Sequence, residues 1–190
     1  MARPRSEDKQ YAILGAATRV VAEQGVSAPT ARIAREAGVA EGTLFTYFEN
    51  KDVLLNALYL HLKGQMRAAL MDGFPSEASA EERAQHAWNG YLAWGVANPA
   101  GRSALRQLGV SERIDARHRA AGSEGFGDMH VLLREMAAGS ALPADVALGF
   151  AGSLLSSMAE TTIEFIARHP AHAAICRDAG FRALWGALKA

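Results

Sequence analysis

The sequence predicts an all-α protein, and three observations support that class. Apolar residues recur every three to four positions along most of the 190-residue chain, which is the period of an amphipathic helix. Alternating runs of β-branched residues, which would indicate strands, are almost absent. Helix start and stop signals, such as the capping-box pattern Ser79-Ala80-Glu81-Glu82 and the break at Asn98-Pro99, divide the chain into about nine helices.

The first third of the chain predicts four helices. Helix one covers Ser6 to Gln24, and Gly25 follows where a glycine commonly ends a helix. Gly38 separates the second helix from the third, because glycine takes a positive φ at little cost. Asn50 is a good cap for a fourth helix that runs to about Met71. The inward-facing apolar residues are Ile13, Ala17, Val20, Val21, Ile33, Ala34, Ala37, Leu44, Phe48, Leu54, Leu55, Leu58 and Leu62.

The stretch from Thr30 to Lys51 has the pattern of a helix-turn-helix. Its second helix, Glu41 to Phe48, turns Leu44 and Phe48 inward. The outward residues are small for close approach, carry hydroxyls for phosphates, or offer an aromatic ring for base edges and methyl groups. They are Glu41, Gly42, Thr43, Phe45, Thr46 and Tyr47. This helix therefore suits the major groove of DNA as a recognition helix.

This motif resembles that of the TetR family of bacterial transcriptional repressors. It covers about a quarter of the chain and is more specific than a lone helix-turn-helix. The resemblance implies a DNA-binding domain at residues 1–52 and a helical ligand-binding and dimerisation domain at residues 53–190. It also implies phosphate contacts by Thr30, Tyr47 and Lys51. The matching residues are Ile33-Ala34, Ala37-Gly38-Val39, Gly42-Thr43-Leu44-Phe45, Tyr47-Phe48 and Asn50-Lys51-Asp52.

Three residues depart from the pattern that family members often show. Phe45 stands where Tyr is common, so a hydroxyl that could reach a phosphate is missing. Ala40 and Glu41 stand where Ser and Lys are common. A carboxylate is repelled by phosphates, so Glu41 either reads the N4 amino group of a cytosine or is turned away from the DNA. The operator sequence therefore does not carry over from the family.

Composition indicates a cytoplasmic protein. Hydrophobic residues make up 49% of the chain, and its single cysteine, Cys176, excludes an intramolecular disulfide and a multi-cysteine zinc site. The N-terminus lacks the apolar stretch of a secretory signal. The most apolar run, around Val146 to Ala159, is interrupted by Gly and Ser, so we expect no membrane span.

The net charge of the chain is zero, which is not the basic footprint typical of a DNA-binding domain. The motif carries more weight, because groove binding depends on where the charges lie. Arg3, Arg5 and Lys9 could form a basic arm ahead of helix one, or a solvated tail. The basic residues that flank the motif are Arg32, Arg35 and Lys51.

The breaks in the second half predict the remaining helices. Helix five ends at Asn98-Pro99, and helix six covers about Gly101 to Leu108. We expect the polar stretch from Ser111 to Arg119 to be helical and exposed, and the glycine-rich stretch from Ala121 to Gly127 to be a loop. The last three helices are expected at Asp128 to Ala138, Pro143 to His169 and Pro170 to Lys189.

Two sets of residues in this half are candidates for function. Those that could line a ligand pocket, or form ordinary core, are Trp88, Tyr91, Trp94, Met129, Leu133, Met158, Thr162 and Phe165. A second set pairs small with large side chains at helical spacing, which suits close packing within one subunit or, as the resemblance implies, in a four-helix dimer interface. Its members are Gly149, Gly152, Ser153, Ser156 and Ala159, with Phe181, Leu184, Trp185 and Leu188 on the last helix.

His169 and His172 have the spacing of a metal-binding pair, but Pro170 lies between them and no third ligand is evident. We therefore expect no metal and no cofactor. Glu160 and Glu164 lie one turn apart, where they could pair across a dimer, meet a ligand or stay solvated.

The sequence thus predicts a homodimeric transcriptional regulator of the TetR type, in its simplest form a repressor that a small-molecule effector releases from double-stranded operator DNA. No nucleophile–base pair and no nucleotide-binding motif argues for catalysis, so we expect no enzyme. The alternative is a helical ligand-binding protein or enzyme with a vestigial DNA-binding head.

Overall fold

A computed structural model describes residues 4–137 and 142–189 of the chain. The regular structure of this part is all helical and contains no strand, which confirms the predicted all-α class. It holds ten α-helices, against about nine expected, and one short 3₁₀ turn at Pro170–His172. The α-helices are α1 (Pro4–Gln24), α2 (Thr30–Glu36), α3 (Glu41–Tyr47), α4 (Lys51–Met71), α5 (Ala80–Ala97), α6 (Pro99–Gly109), α7 (Ala116–Glu124), α8 (Gly127–Ala137), α9 (Ala144–Arg168) and α10 (Ala173–Lys189).

The helices form two compact units. The first contains the chain up to Gln65 together with Asn98–Gly125, and the second contains Met66–Ala97 together with the residues from Phe126 onward. Helix α4 contributes its first fifteen residues to the first unit and its end to the second. A functional boundary after residue 52 remains a prediction, since the compact unit that holds the helix-turn-helix also includes the start of α4, α6 and α7.

The first unit is built around α1, which packs against α2 and α6. The apolar stripes of α1 to α4 meet α6 in one core, where Ile13, Leu44 and Leu58 are fully buried. The amide of Gln107 on α6 donates to the carbonyl oxygens of Val21 at 3.0 Å and Ala22 at 3.2 Å. These carbonyls belong to the last turns of α1, so the contact ties α6 to the end of that helix.

The second unit is a bundle of α5, α8, α9 and α10, each of which contacts the others. Trp88 lies in its core, and its indole N–H donates to the carbonyl oxygen of Arg177 on α10 at 3.0 Å. Gly180 allows α10 to approach closely, because a Cβ at this position would lie 2.6 Å from Oγ1 of Thr162. The predicted capping box of α5 is present: Glu82 N donates to Ser79 Oγ at 3.3 Å, and Ser79 N donates to Glu82 Oε2 at 3.0 Å.

The glycine-rich stretch from Ala121 to Gly127 is largely helical, so the predicted loop is wrong. Helix α7 continues to Glu124 and α8 begins at Gly127. Gly122 is buried beneath the ring of Tyr59, and a Cβ there would lie 2.6 Å from Tyr59 Cε1. Glycine at this position therefore serves close packing and not flexibility.

Two other expectations about the second half need correction. The polar stretch from Ser111 to Arg119 becomes helical only at Ala116, because Asp115 caps α7 by accepting from the backbone N–H of His118 at 2.8 Å. Pro170 begins a separate 3₁₀ turn, so the last long helix starts only at Ala173.

Within α9, residues Val146–Arg168 are long and apolar enough to cross a membrane by length and composition alone. The interrupting Gly and Ser residues lower the mean hydropathy less than the sequence pattern suggested, so the apolar stretch is longer than expected. A single helix of this kind is weak evidence for a membrane span. Only 28% of its most apolar window is buried, so α9 presents an apolar surface to its surroundings.

Candidate functional site

The helix-turn-helix forms as the sequence predicts. Gly38 has a φ of +69°, which lets the chain reverse after α2. The N–H of Val39 donates to the carbonyl oxygen of Ala34 at 2.9 Å and closes the turn. Leu44 and Phe48 point into the core of the first unit. Burial of this inner face fixes which side of α3 faces solvent.

The outer face of α3 is largely exposed, with Thr43 partly buried. Glu41, Gly42, Phe45 and Thr46 are exposed, with Phe45 41% accessible. A Cβ added at Gly42 would meet no atom within 4 Å. An external surface can therefore approach the backbone of α3 closely at this point.

The hydroxyls on this surface differ in what they can still donate. Thr46 Oγ1 donates to the carbonyl oxygen of Gly42 at 3.1 Å, one turn earlier on its own helix. Thr30, the first residue of α2, donates to Glu41 Oε1 at 2.6 Å. No side chain caps α2, whose N-cap residue is Pro29. The Thr30 hydroxyl thus joins the start of α2 to the start of α3.

Tyr47 and Lys51 lie at the far end of the motif. Tyr47 is half-buried and packs against the core of the first unit, so it does not stand clear of the core as the sequence suggested. Lys51 begins α4 directly after the cap Asn50, whose Oδ1 accepts from the N–H of Val53 at 2.9 Å. Burial lowers the pKa of Lys51, the positive charge of Arg113 lowers it further, and Asp52 opposes both.

Arg113 and Asn56 are functional candidates that the sequence reasoning missed. Arg113 Nη1 lies 2.6 Å from Asp52 Oδ1, which brings a second cation beside Lys51. Asn56 is 4% exposed, and its Nδ2 donates to the carbonyl oxygens of Asp52 at 2.7 Å and Arg113 at 3.0 Å. Its Oδ1 accepts from the N–H of Asp115 at 3.1 Å. The segment between α6 and α7 is therefore docked on the first turns of α4.

The proposed basic arm falls mostly outside the described part of the chain. Arg3 lies outside the described residues, and so does the side chain of Arg5. Lys9 is exposed on α1. Next to the motif, Arg32 is partly buried and Arg35 is exposed.

The predicted pocket residues take three different environments in the second unit. Trp88, Trp94, Met129 and Thr162 are buried, and the Thr162 hydroxyl donates to the carbonyl oxygen of Met158 at 2.7 Å. Tyr91, Leu133 and Met158 are partly buried, and the Tyr91 hydroxyl lies 3.3 Å from Glu160 Oε1. Phe165 is 46% exposed, with the Arg168 guanidinium 4.8 Å from its ring centre. A ligand role for this set stays a prediction.

A groove of about 580 Å³ runs beside α8 and α9 in the second unit. Of the predicted pocket residues only Leu133 lines it, together with four residues predicted for the dimer interface. Its lining is His130, Leu133, Leu148, Gly149, Gly152, Ser153, Ser156 and Ser157.

The predicted interface residues fall into an outward and an inward group. Gly149, Ser153 and Ser156 are exposed on α9, and Gly152 is partly exposed. The large residues of α10, Phe181, Leu184 and Leu188, are buried inside the subunit, which is one of the two arrangements that their spacing allowed. Trp185 is half-buried and stacks on Phe181 with ring centres 6.0 Å apart. The outward face of α10 instead carries the small residues Ala179, Ala183, Gly186 and Ala187 together with the charged residues Asp178 and Arg182.

The remaining sequence candidates have ordinary surroundings. Ala159 is buried in the second core, and Cys176 is half-buried beside it. His169 is exposed beside Phe165, with ring centres 6.0 Å apart, and His172 ends the 3₁₀ turn. Among the described residues, no group of three or more His, Cys, Asp or Glu side chains could hold a metal ion.

The exposed face of α3 on a buried helix-turn-helix, in an all-α chain, defines a DNA-binding regulatory protein. Comparison with known proteins places it more closely. Residues 13–58 match the family model of bacterial regulatory proteins of the tetR family. The helix-turn-helix part of the chain thus matches the TetR family of transcriptional regulators, and the chain as a whole resembles a solved structure of that family.

Three relatives show how far the likeness extends. The fatty acid metabolism regulator protein of Bacillus subtilis (strain 168) is 36% identical over 76 residues, which are 40% of this chain and 39% of that protein. The crystal structure of a tetR family transcription regulator from Shewanella sp. PV-4 has a TM-score of 0.77 at 28% identity, covering 94% of this chain and 97% of that one. The structure of FadR from Bacillus subtilis in complex with stearoyl-CoA has a TM-score of 0.65 at 18% identity, covering 92% and 96%, and shows likeness of fold alone.

Proposed function

We propose that this regulator is a homodimeric, cytoplasmic repressor that a small molecule releases from double-stranded operator DNA. The observation that carries the DNA-binding part is the outer face of α3. Its inner residues Leu44 and Phe48 are buried, and its outer residues Gly42, Phe45 and Thr46 are exposed, with open space around Gly42 among the described residues. Such a face is available to the major groove, with Gly42 at the point of closest approach.

The surface of α9 supports the dimer. Val146 and Phe150 are 50% and 53% exposed, and Gly149 and Ser153 lie between and beside them on the same side of the helix. An exposed apolar stripe with small residues allows two helices to approach closely. The small residues on the outward face of α10 extend this surface. We therefore assign the partner contact to the outer faces of α9 and α10, with the buried Phe181 and Leu184 supporting them from inside the subunit.

A population shift accounts for release. One state of the dimer holds its two recognition helices one DNA turn apart and binds the operator, and a ligand that prefers another state removes that spacing. Helix α4 is suited to link the two events, because it starts beside the helix-turn-helix at Lys51 and contributes residues to both compact units. The coupling is reciprocal, so operator DNA must weaken ligand binding by the same factor.

The class of the effector is tested first with long-chain acyl-CoA. The reason is the relative from Bacillus subtilis that was solved with stearoyl-CoA and the curated relative that regulates fatty acid metabolism. Of the predicted pocket residues, Trp88, Tyr91 and Phe165 are aromatic, and Tyr91 forms a polar pair with Glu160, although none of the three lines the groove beside α8 and α9. The alternative function, a ligand-binding protein or enzyme with a vestigial head, predicts tight ligand binding and no operator.

The test is selection of bound sequences from a pool of random double-stranded DNA, followed by titration of the selected site. We expect enrichment of a two-fold symmetric site with half-sites about one helical turn apart. Stearoyl-CoA is then added to the complex and fluorescence anisotropy of labelled DNA reports release. A pool that shows no enrichment at any salt concentration contradicts the repressor function. Enrichment without release by stearoyl-CoA rejects acyl-CoA as the effector.

A further inference from the structure

We propose that Glu41 reads a cytosine in each operator half-site and that Thr30 positions its carboxylate for this task. Thr30 then contacts Glu41 and not, as the family resemblance implies, a phosphate. The inference rests on the proposed function, because it requires α3 to lie in the major groove.

The contact between the two side chains is the observation that carries the assignment. Thr30 Oγ1 donates to Glu41 Oε1 at 2.6 Å, although the two residues are eleven positions apart and begin different helices. A hydroxyl has one proton to donate. With that proton committed to Glu41, Thr30 presents only lone pairs to its surroundings. Phosphate oxygens are acceptors, so the Thr30 hydroxyl cannot donate to a phosphate while it holds Glu41.

The same hydrogen bond limits which groups the Glu41 carboxylate can contact. It occupies one carboxylate oxygen and leaves Oε2 to accept from another donor. An ionised carboxylate only accepts hydrogen bonds. The phosphates of the DNA backbone are negatively charged and therefore repel it. The donors that duplex DNA shows in the major groove are the amino groups of cytosine N4 and adenine N6. A carboxylate that enters the groove must therefore meet one of these two groups.

Cytosine is the better partner of the two. The adenine amino group lies between two acceptors, its own N7 and the O4 of the paired thymine, and both repel a carboxylate. The cytosine amino group has an acceptor on one side only, the O6 of guanine. The surroundings of Glu41 allow the approach, because its neighbours Ala40 and Gly42 are exposed and small. Among the outward residues at the start of α3, Glu41 alone has a long polar side chain.

The experiment compares base preference in wild type, Glu41→Ala, Glu41→Gln, Thr30→Val and Thr30→Ser. Each protein is taken through the same selection from random DNA, and affinities are measured on the wild-type site with each half-site base pair changed in turn. For wild type we expect one C·G pair per half-site whose replacement weakens binding about 30-fold, the middle of the range for a single mismatched pair. Glu41→Ala should remove this preference and keep all the others. Glu41→Gln should shift it toward adenine, since a glutamine amide matches adenine N6 and N7.

The two substitutions of Thr30 separate positioning from phosphate contact. Thr30→Val removes the hydroxyl at nearly constant shape, so discrimination at the cytosine should fall several-fold while affinity for nonspecific DNA stays the same. Thr30→Ser keeps a hydroxyl and should restore discrimination. Circular dichroism and sedimentation establish that each variant is folded and in the wild-type oligomeric state.

Three results overturn the inference. One is an unchanged base preference at every position in folded Glu41→Ala. Another is an equal loss of specific and nonspecific affinity in Thr30→Val, which is the mark of a phosphate contact. The third is a wild-type selection that enriches no sequence, which also overturns the proposed repressor function. The first two leave that function intact, so the two failures are distinguishable.

Discussion

Replacing Asn56 with alanine should destabilise the first unit more than any other single polar substitution near the DNA-binding head. Asn56 is 4% exposed and makes three hydrogen bonds between 2.7 and 3.1 Å. Two of them join α4 to the backbone of Arg113 and Asp115, which lie in the segment before α7. Alanine would leave a carbonyl oxygen and an N–H inside the protein without a partner.

The expected loss follows from those two groups. A buried polar group left unpaired costs about 1 to 3 kcal/mol, and the better helix propensity of alanine returns roughly 0.5 kcal/mol. For two such groups, Asn56→Ala should therefore lower the free energy of unfolding by about 1.5 to 5.5 kcal/mol. Urea denaturation followed by circular dichroism at one protein concentration measures this change. Hydrogen exchange at the Asp115 amide gives the local effect, which should be a large loss of protection.

Asp52→Asn is the matched control. It removes the ion pair between Asp52, whose side chain is 58% exposed, and Arg113, whose side chain is 46% exposed. The Asn56 hydrogen bonds stay in place. An exposed pair contributes about 0 to 1 kcal/mol. If Asn56→Ala unfolds within 0.5 kcal/mol of wild type, or if the control costs as much, the docking of this segment does not depend on Asn56.

Three further predictions concern DNA contact, assembly and pH. Tyr47→Phe removes the hydroxyl and keeps the packing, so it should weaken specific and nonspecific DNA binding alike by about 1 kcal/mol; an unchanged affinity in both assigns the hydroxyl to solvent. Phe150→Glu should convert the dimer to monomer in sedimentation, while Val110→Glu, at a residue 84% exposed in the first unit, should not; a dimeric Phe150 variant places the interface elsewhere. Hydrogen bonds from the backbone and side chain of His118 lower the pKa of Asp115 below its usual 3.8. The contribution of this cap to folding stability is therefore present above pH 3.8 and is lost as the pH falls through the lowered pKa. The stability difference between wild type and Asp115→Asn should accordingly be constant near neutral pH and shrink in acid, and a difference that grows in acid contradicts the capping role.

Much of the first unit could be predicted from the sequence, because local signals and packing agree there. Gly25 and Gly38 adopt the positive φ that their positions suggested. The apolar stripe of Ile33, Leu44 and Phe48 is buried. The glycine turns and the spacing of the apolar residues are both local features, so the sequence alone is enough to predict them.

The features that the sequence did not predict depend on contacts between residues that are far apart in the chain. Asn56 looks like a helix residue among leucines, and only the docking of a segment 57 positions later shows why an amide is buried there. Gly122 sits in a glycine-rich stretch typical of a loop, yet it lies within α7, where the ring of Tyr59 occupies the space that a Cβ would need. Phe181 and Leu184 form a stripe that could face a partner or a core, and the packing of α10 on α9 decided for the core.

For the candidate pocket residues of the second unit, residue type alone likewise does not distinguish a ligand pocket from the core. Trp88 and Met129 have residue types that suit a ligand pocket and a core equally well, and they are buried in the core. A polar residue in an apolar stripe is the more useful signal. Asn56, Thr162 and Glu160 are all of this kind, and each has a specific partner in the folded chain.

The central claim, that α3 is the recognition helix of an operator-binding protein, is tested most directly by the same substitution at two glycines. Gly42 and Gly64 are both exposed helical positions in the first unit, and an added Cβ meets nothing within 4 Å at either. Glutamate at Gly42 would place bulk and negative charge against the groove, whereas glutamate at Gly64 adds the same charge on α4. In competition with nonspecific DNA, we expect Gly42→Glu to lose operator binding while it stays a folded dimer, and Gly64→Glu to bind as wild type does. Wild-type operator affinity in folded Gly42→Glu would contradict the assignment of α3 and, with it, the repressor function.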